Sequence, residues 1–231
     1  VLILAIESAT NQIGCAIGGP DGILASAHTI RPRHHAESLA PQVRFAAGQA
    51  GIAMADIDVI AVDVGPGLFT GLRVGITTAM AFAWALGKPV ATFTSLELLA
   101  AAVSVGDTDT ISVVDARRGE VFHARFRSTA TGPECLREPS VAFPADLAAE
   151  IATESSDLVL VGDGVRAHID HFADIGCSIA PRPFDQPSAR TLVTMAASHP
   201  HRLMDPSEVS PLYLREPDAK AKFDNVPGGP S

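Results

Sequence analysis

Residues 65–86 read GPGLFTGLRVGITTAMAFAWAL, and this stretch decides the fold. A Gly-Pro-Gly turn opens it, and a helix-forming run carrying a single charge, Arg73, completes it. Directly before it stands IDVIAVDV (57–64), which reads as a buried strand. Strand, glycine turn and helix place the loop at the carboxyl end of a strand, where α/β proteins hold ligands. Gly65 and Gly67 permit a sharp turn and a close approach by ligand or backbone. Thr70 is placed to cap a helix beginning at Gly71, whose first amides then carry partial positive charge and attract an anion. Arg73 follows one turn in. Gly65, Pro66, Gly67, Thr70 and Arg73 therefore form a candidate anion- or nucleotide-facing set. The run has no GK[ST] of a P-loop and does not match GxGxxG, so a plain strand-to-helix turn stays open as the alternative.

The helix is more informative than the loop. An ordinary surface helix has a polar face, and one that is apolar all round is covered on more than one side. Gly71, Gly75, Ala79 and Ala83 recur at every fourth position, a stripe of small residues that permits close helix packing. A second Ala-rich helix is predicted over residues 36–50, with Ala36, Leu39, Val43 and Ala47 near helical spacing and Pro41 tolerable only near its first turn. The two helices are expected to form half of a bundle completed by another chain. Ala36, Leu39, Val43, Ala47, Gly71, Gly75, Ala79 and Ala83 would be its face. The alternative is that this chain covers the stripe itself.

Working outward, residues 2–6 form an apolar strand ending on Glu7. Residues 13–17 and 23–27 flank the turn GGPDG and read as a hairpin. Gly87 and Pro89 stop the long helix, 90–93 is a short strand, and Ser95 is placed to cap a helix over 96–103. The order is β-β-β-α-β-α-β-α. The second half reads as a looser copy: a strand over 110–115 ending on Asp115, the turn Arg117-Arg118-Gly119, strands over 121–126 and near Leu136, a helix over 145–151, a strand over 158–161 and a helix over 189–198. This pattern predicts a two-lobed α/β protein with a duplicated ribonuclease-H-like fold, as in the actin, hexokinase and Hsp70 group, and a reduced second lobe. Residues 1–104 would form the first lobe and 105–215 the second, with the helix near 189–198 packing back on the first. The polar, Pro/Gly-rich 216–231 would be a disordered tail.

With 17 Lys and Arg against 26 Asp and Glu, the formal net charge is −9. A chain that grips nucleic acid alone usually presents a basic face, so any such role is expected to be indirect or confined to a local patch. Cys15, Cys135 and Cys177 lack metal or redox spacing and are expected to be small buried hydrophobes in a reducing compartment. Residues 2–6 are too short and lack the basic flank of a signal peptide, and the apolar run 76–86 is too short to span a bilayer, so a soluble cytoplasmic chain with no membrane role is expected. Glu7 stands where kinases and ATPases of this fold use a strand-end carboxylate to place a metal–phosphate complex, although Glu is longer than the Asp expected there and no Gly follows. It joins the anion-facing set. Asp115 with Arg117, Arg118 and Glu120 reads as an anion or partner site, or as a charged hairpin. His34 and His35, and His168 with His171, have no third ligand at metal spacing. No GxSxG is present. No catalytic residue and no metal site is assigned.

One combination of segments is specific: LAIESAT (4–10), HAESLAP (35–41), GPGLFTGLRVG (65–75), SLELLA (95–100), VVDARRGEVF (113–122), LVGDG (160–164) and SPLYLR (210–215). Spread over nearly the whole chain, it resembles the TsaB (YeaZ) family of bacterial tRNA threonylcarbamoyladenosine biosynthesis proteins. The resemblance implies a non-catalytic subunit that pairs with and activates TsaD, a relative of the same fold, and is joined by the ATPase TsaE. Together they would place a threonylcarbamoyl group on N6 of adenosine 37 in tRNAs that read ANN codons. It further implies that tRNA is met through the complex, and that ATP and Mg are held there through partners and not by this chain alone. Whether the free chain is a homodimer stays open, and a self-sufficient homodimer acting as a scaffold is an alternative reading. After the strand at 90–93 the catalytic relatives carry two metal-holding histidines four residues apart. The matching positions here are Ser95 and Leu99. The competing reading is an active enzyme of the same fold, either a small-molecule kinase or a metallopeptidase of the glycoprotease type.

Overall fold

A computed structural model describes residues 1–30, 35–103, 108–153 and 157–215, with the side chains of His35 and Ala36 excepted. The expected tail at 216–231 and the histidine at 34 lie outside the described residues. The first half contains β1 (Ile3–Glu7), β2 (Gln12–Gly19), β3 (Gly22–Ile30), α1 (His35–Ala50), β4 (Val59–Asp63), α2 (Phe69–Leu86), β5 (Val90–Phe93) and α3 (Ser95–Val103). The second contains β6 (Asp109–Arg117), β7 (Glu120–Thr129), β8 (Gly132–Ala142), α4 (Pro144–Ala152), β9 (Leu158–Val161), α5 (Asp163–Ala167), α6 (Ile169–Phe172) and β10 (Ser178–Ile179), followed by α7 (Ala189–Ser198) and β11 (Leu203–Met204).

The strands form two sheets. The first runs β3-β2-β1-β4-β5-β11 and the second β8-β7-β6-β9-β10. Apart from the added edge strand β11, the two orders are the same. In each, an antiparallel three-stranded meander meets a parallel strand at its first member: β1 lies parallel to β4 (Ile3↔Val59) and β6 parallel to β9 (Asp109↔Leu158). This is the duplicated ribonuclease-H-like topology. The second copy is reduced in its helices, with α5 and α6 of 5 and 4 residues standing after β9 where α2, of 18 residues, stands after β4.

Layering explains the sequence patterns. β1 is buried along its whole length because helices cover both faces, so it reads as a continuous apolar run. Leu4 and Ile6 join Leu39, Val43, Ala79 and Ala83 in the core beneath α1 and α2. Ile3 and Ala5 point the other way, into a cluster with Leu192 and Val193 of α7. Thus α7 returns to the first sheet after the second is complete.

Four local expectations need correction. The α3 cap is Thr94, not Ser95: Glu97 N–H donates to Thr94 Oγ1 (3.1 Å) and Thr94 N–H to the Glu97 carboxylate (2.8 Å), a reciprocal capping box. Pro41 lies inside α1, not in its first turn. Cys135 is exposed, whereas Cys15 is buried and its thiol is pushed up to about 12 by that burial. Finally, α2 has 18 residues with a mean hydropathy of 1.3 and is long and apolar enough to cross a membrane. The apolar run 76–86 is only the later part of this helix. The helix instead lays one side on the first sheet.

Candidate functional site

Two features converge on the start of α2: the helix surface beyond it and the crevice between the lobes beneath it. The small-residue stripe faces inward. A Cβ added at Gly75 would lie 2.1 Å from Ser8 Oγ, and that hydroxyl donates to the Gly71 carbonyl (2.8 Å). Ala79 and Ala83 are fully buried, and Leu39, Val43 and Ala47 share their core. Apart from Ala36, whose side chain is not described, every residue expected on the partner face is therefore buried inside this chain. The physical reason is that small residues let α2 settle closely onto β1 and the loop after it.

A different face looks outward. On α2 it comprises Thr70, Arg73, Thr77, Ala81, Trp84 and Ala85, and on the neighbouring α1 it includes Ala40, Pro41, Arg44, Phe45 and Gly48. Trp84 is 59% exposed and Phe45 57%. The only charge on the α2 side is Arg73. Its guanidinium stacks 3.8 Å over the Phe69 ring and donates to the Tyr213 hydroxyl (3.3 Å). Tyr213 in turn packs against Phe69 (5.3 Å between centroids).

Beneath this surface, carboxylates gather at the strand ends. Glu7 ends β1, Asp63 ends β4, Asp115 lies near the end of β6 and Asp163 follows β9. Glu7 is fully buried. One of its oxygens accepts from Ala9 N–H (2.8 Å), and the other has no hydrogen-bond partner. Burial first, then the neighbouring Asp63, raises its pKa well above the usual carboxylate range. Burial likewise lifts Asp63 to about 7, against the opposing pull of the Gly65 amide (2.7 Å) and the Ser95 hydroxyl (2.9 and 2.8 Å to its two oxygens). Asp163 is lifted to about 6 by burial, although it accepts from the Asp115 amide (3.0 Å). Sequence reasoning missed Asp63 and Asp163. The signal was present: each ends or follows a buried apolar strand, as Glu7 and Asp115 do.

The glycine loop closes this crevice. Leu68 N–H donates to the Ala9 carbonyl (2.6 Å), and a Cβ at Gly67 would lie 2.2 Å from that oxygen. Gly67 is there so that two backbones can touch. Across the gap, Arg117 adopts a left-handed φ of 64°. Its amide and guanidinium both bond Asp115 (2.8 Å each), and the guanidinium reaches Asn11 of the first lobe (3.2 Å). The space bounded by Ala9, Leu68, Asp115, Arg117 and Asp163 has a volume of about 0 Å³. Among the described residues, most of the expected anion-facing set is taken up by contacts within the chain. Gly65 and Pro66 are buried, Gly67 abuts Ala9, and Arg73 is turned to Phe69 and Tyr213. Thr70 does not cap α2, whose N-cap position is Leu68 with no side-chain bond.

Among the described residues, no group of three or more His, Cys, Asp and Glu is arranged to hold a metal ion. Ser95 is committed to Asp63, and Leu99 is fully buried in the core of the second lobe. His168 sits 4.0 Å from Asp115, between α5 and α6.

The repeated sheet order and its strand-end carboxylates define the class of protein as two-lobed and ribonuclease-H-like. A family model described as TsaD: tRNA N6-adenosine threonylcarbamoyltransferase matches residues 27–223. The tRNA threonylcarbamoyladenosine biosynthesis protein TsaB of Escherichia coli (strain K12) is 27% identical over 218 residues, covering 92% of this chain and 94% of that one. The structure titled YeaZ from Pseudomonas aeruginosa superposes with a TM-score of 0.82 at 26% identity, covering 92% of this chain and 99% of that one. An uncharacterized protein of Mycobacterium leprae (strain TN) is 36% identical over 98% of this chain, which spans only 58% of that relative's length. The chain belongs to the TsaB (YeaZ) family.

Proposed function

We propose that this chain is the non-catalytic partner of a TsaD-type subunit in forming threonylcarbamoyladenosine on tRNA in the cytoplasm, and that the two meet on the outward face of α1 and α2. The observation that carries this reading is that face: two adjacent helices showing Trp84, Phe45, Ala81 and Ala85 to solvent beside one charge on α2. Adjacent helices that leave large aromatics and small apolar residues exposed make a candidate interaction site, and such aromatics are typical anchors of an interface. The non-catalytic role is supported by Leu99, which has no donor atom for a metal, and by Ser95, whose hydroxyl is held by Asp63. The closed crevice supports assigning ATP and Mg to the partners, TsaE included, with tRNA met through the assembly. The helix face would also serve a homodimer when the partner is absent.

Reconstitution tests the proposal. The chain, the TsaD-type subunit, TsaE, tRNA and threonylcarbamoyl-adenylate are mixed, and each protein is omitted in turn. Modification is expected to require this chain and to fail with this chain alone. Normal modification without it would overturn the reading, as would modification by it alone. Pull-down and light scattering of Trp84→Glu and Ala81→Arg are expected to show lost pairing with stability unchanged within about 0.5 kcal/mol, as for ordinary surface substitutions.

A further inference from the structure

A second cavity, independent of the proposed pairing, lies where the tip of the β7–β8 hairpin meets α7. Its volume is about 640 Å³, within the range of pockets that enclose small organic ligands. Thr131 and Pro133 of the hairpin line one side, and Arg190, Thr191, Ser198 and His199 the other.

The chemistry of this lining is one-sided. In a chain of net charge −9 it holds one guanidinium and no carboxylate. Arg190 has no hydrogen-bond or ion-pair partner for its guanidinium among the described residues. Only its backbone is engaged, with Ser188 and Thr194. It occupies the first turn of α7, where a cation opposes the helix dipole, so helix stability does not account for it. Two turns further along α7 stand groups that accept. His199 Nδ1 donates to the Met195 carbonyl (2.7 Å), which leaves Nε2 of the neutral ring as an acceptor. Ser198 Oγ gives its proton to the Thr194 carbonyl (3.0 Å) and so presents its lone pairs.

We propose that this cavity binds a small organic phosphate of sugar-phosphate or nucleoside-monophosphate size, with the phosphate on Arg190 and hydroxyl groups of its body donating to His199 and Ser198. A single guanidinium matches one phosphate and not a chain of them. The acceptors match a polyol and not a bare anion.

Isothermal titration calorimetry of the full chain tests this with ribose 5-phosphate, AMP, ribose and inorganic phosphate as separate probes. The two phosphate esters are expected to bind at least about tenfold more tightly than either fragment, and Arg190→Gln to weaken them by about tenfold or more, the loss of one charge-assisted bond. Arg190 is exposed, and its variant is expected to keep the wild-type circular dichroism. The proposal is overturned if neither ester binds at millimolar concentration, if inorganic phosphate binds as well as the esters, or if Arg190→Gln binds them unchanged. None of these outcomes bears on pairing through α1 and α2.

Discussion

Asp63 closes β4 with its carboxyl group inside the protein, held by the Gly65 amide and the Ser95 hydroxyl. Burial raises its pKa to about 7, whereas in an unfolded chain an aspartate titrates near about 4. Between those values the native state holds a proton that the unfolded state has released. The stability Asp63 contributes is therefore complete below the unfolded value and is lost as pH rises through about 7. Glu7 and Asp163, both raised, act with the same sign, while the lowered pKa of buried His123 opposes them in the mildly acidic range. The difference between variant and wild type isolates Asp63: urea midpoints of Asp63→Asn are expected to exceed wild type at pH 8 and to lose that advantage near pH 5. An advantage that does not change with pH would show that the group is not titrating there. Ser95→Ala strips a donor from the same carboxylate and is expected to cost about 1–3 kcal/mol, more at pH 8 than at pH 5. Gly75→Ala would drive a methyl group into Ser8 Oγ. Overpacking of this kind costs about 1–3 kcal/mol and should appear as a lowered Tm.

At the scale of the element, α2 separates packing from assembly by direction. Ala79 and Ala81 are two residues apart with similar neighbours in sequence, yet one is fully buried and the other exposed. Ala79→Arg places a charge in the core and is expected to unfold the chain or leave it insoluble. Ala81→Arg should leave the urea midpoint in place while pull-down shows lost pairing. Equal stability of the two variants would refute the orientation of the helix. The existence of this helix and of its neighbour α1 was legible in composition and spacing. The direction of its faces was not, because an Ala or Gly stripe is compatible with either side and the reading ranked residues by size. Polarity held the better signal: Thr70, Arg73 and Thr77 recur on one side and continue to Ala81 and Trp84. The strand-end acids show a similar partial success. Glu7 and Asp115 stand out because they come at or near the end of the first strand of each half, and the same reasoning applied to 57–64 and 158–161 reaches Asp63 and Asp163.

In the whole molecule, a short segment near the end of the described chain joins the lobes. Leu212 N–H donates to the Val64 carbonyl (2.8 Å) in the first lobe, and Tyr213 packs on Phe69. Leu214 then packs, partly buried, against the core of the second lobe, and Arg215 pairs with Glu120 (2.7 Å). Nothing in the motif SPLYLR announced this crossing, since its partners are distant in sequence. Arg215→Ala alone is expected to cost about 1 kcal/mol, near the upper end for surface ion pairs because this one is partly buried. Ending the chain after Val209 removes every one of these ties and is expected to split a single calorimetric transition into two, one for each lobe. One undivided transition would show that α7 and the hairpin contacts suffice to hold the lobes together.

The contact of Leu68 and Gly67 with Ala9 has a mechanical consequence. Motors and clamps built from two lobes need a gap whose width changes with the occupant, and the size of that change is their stroke. Here the tie joins two loops of the same lobe, so it stiffens one wall of the gap and leaves the width to the contacts that do cross, Arg117 with Asn11 and the segment 212–215. A jaw hardened on one side takes its travel from the hinge alone.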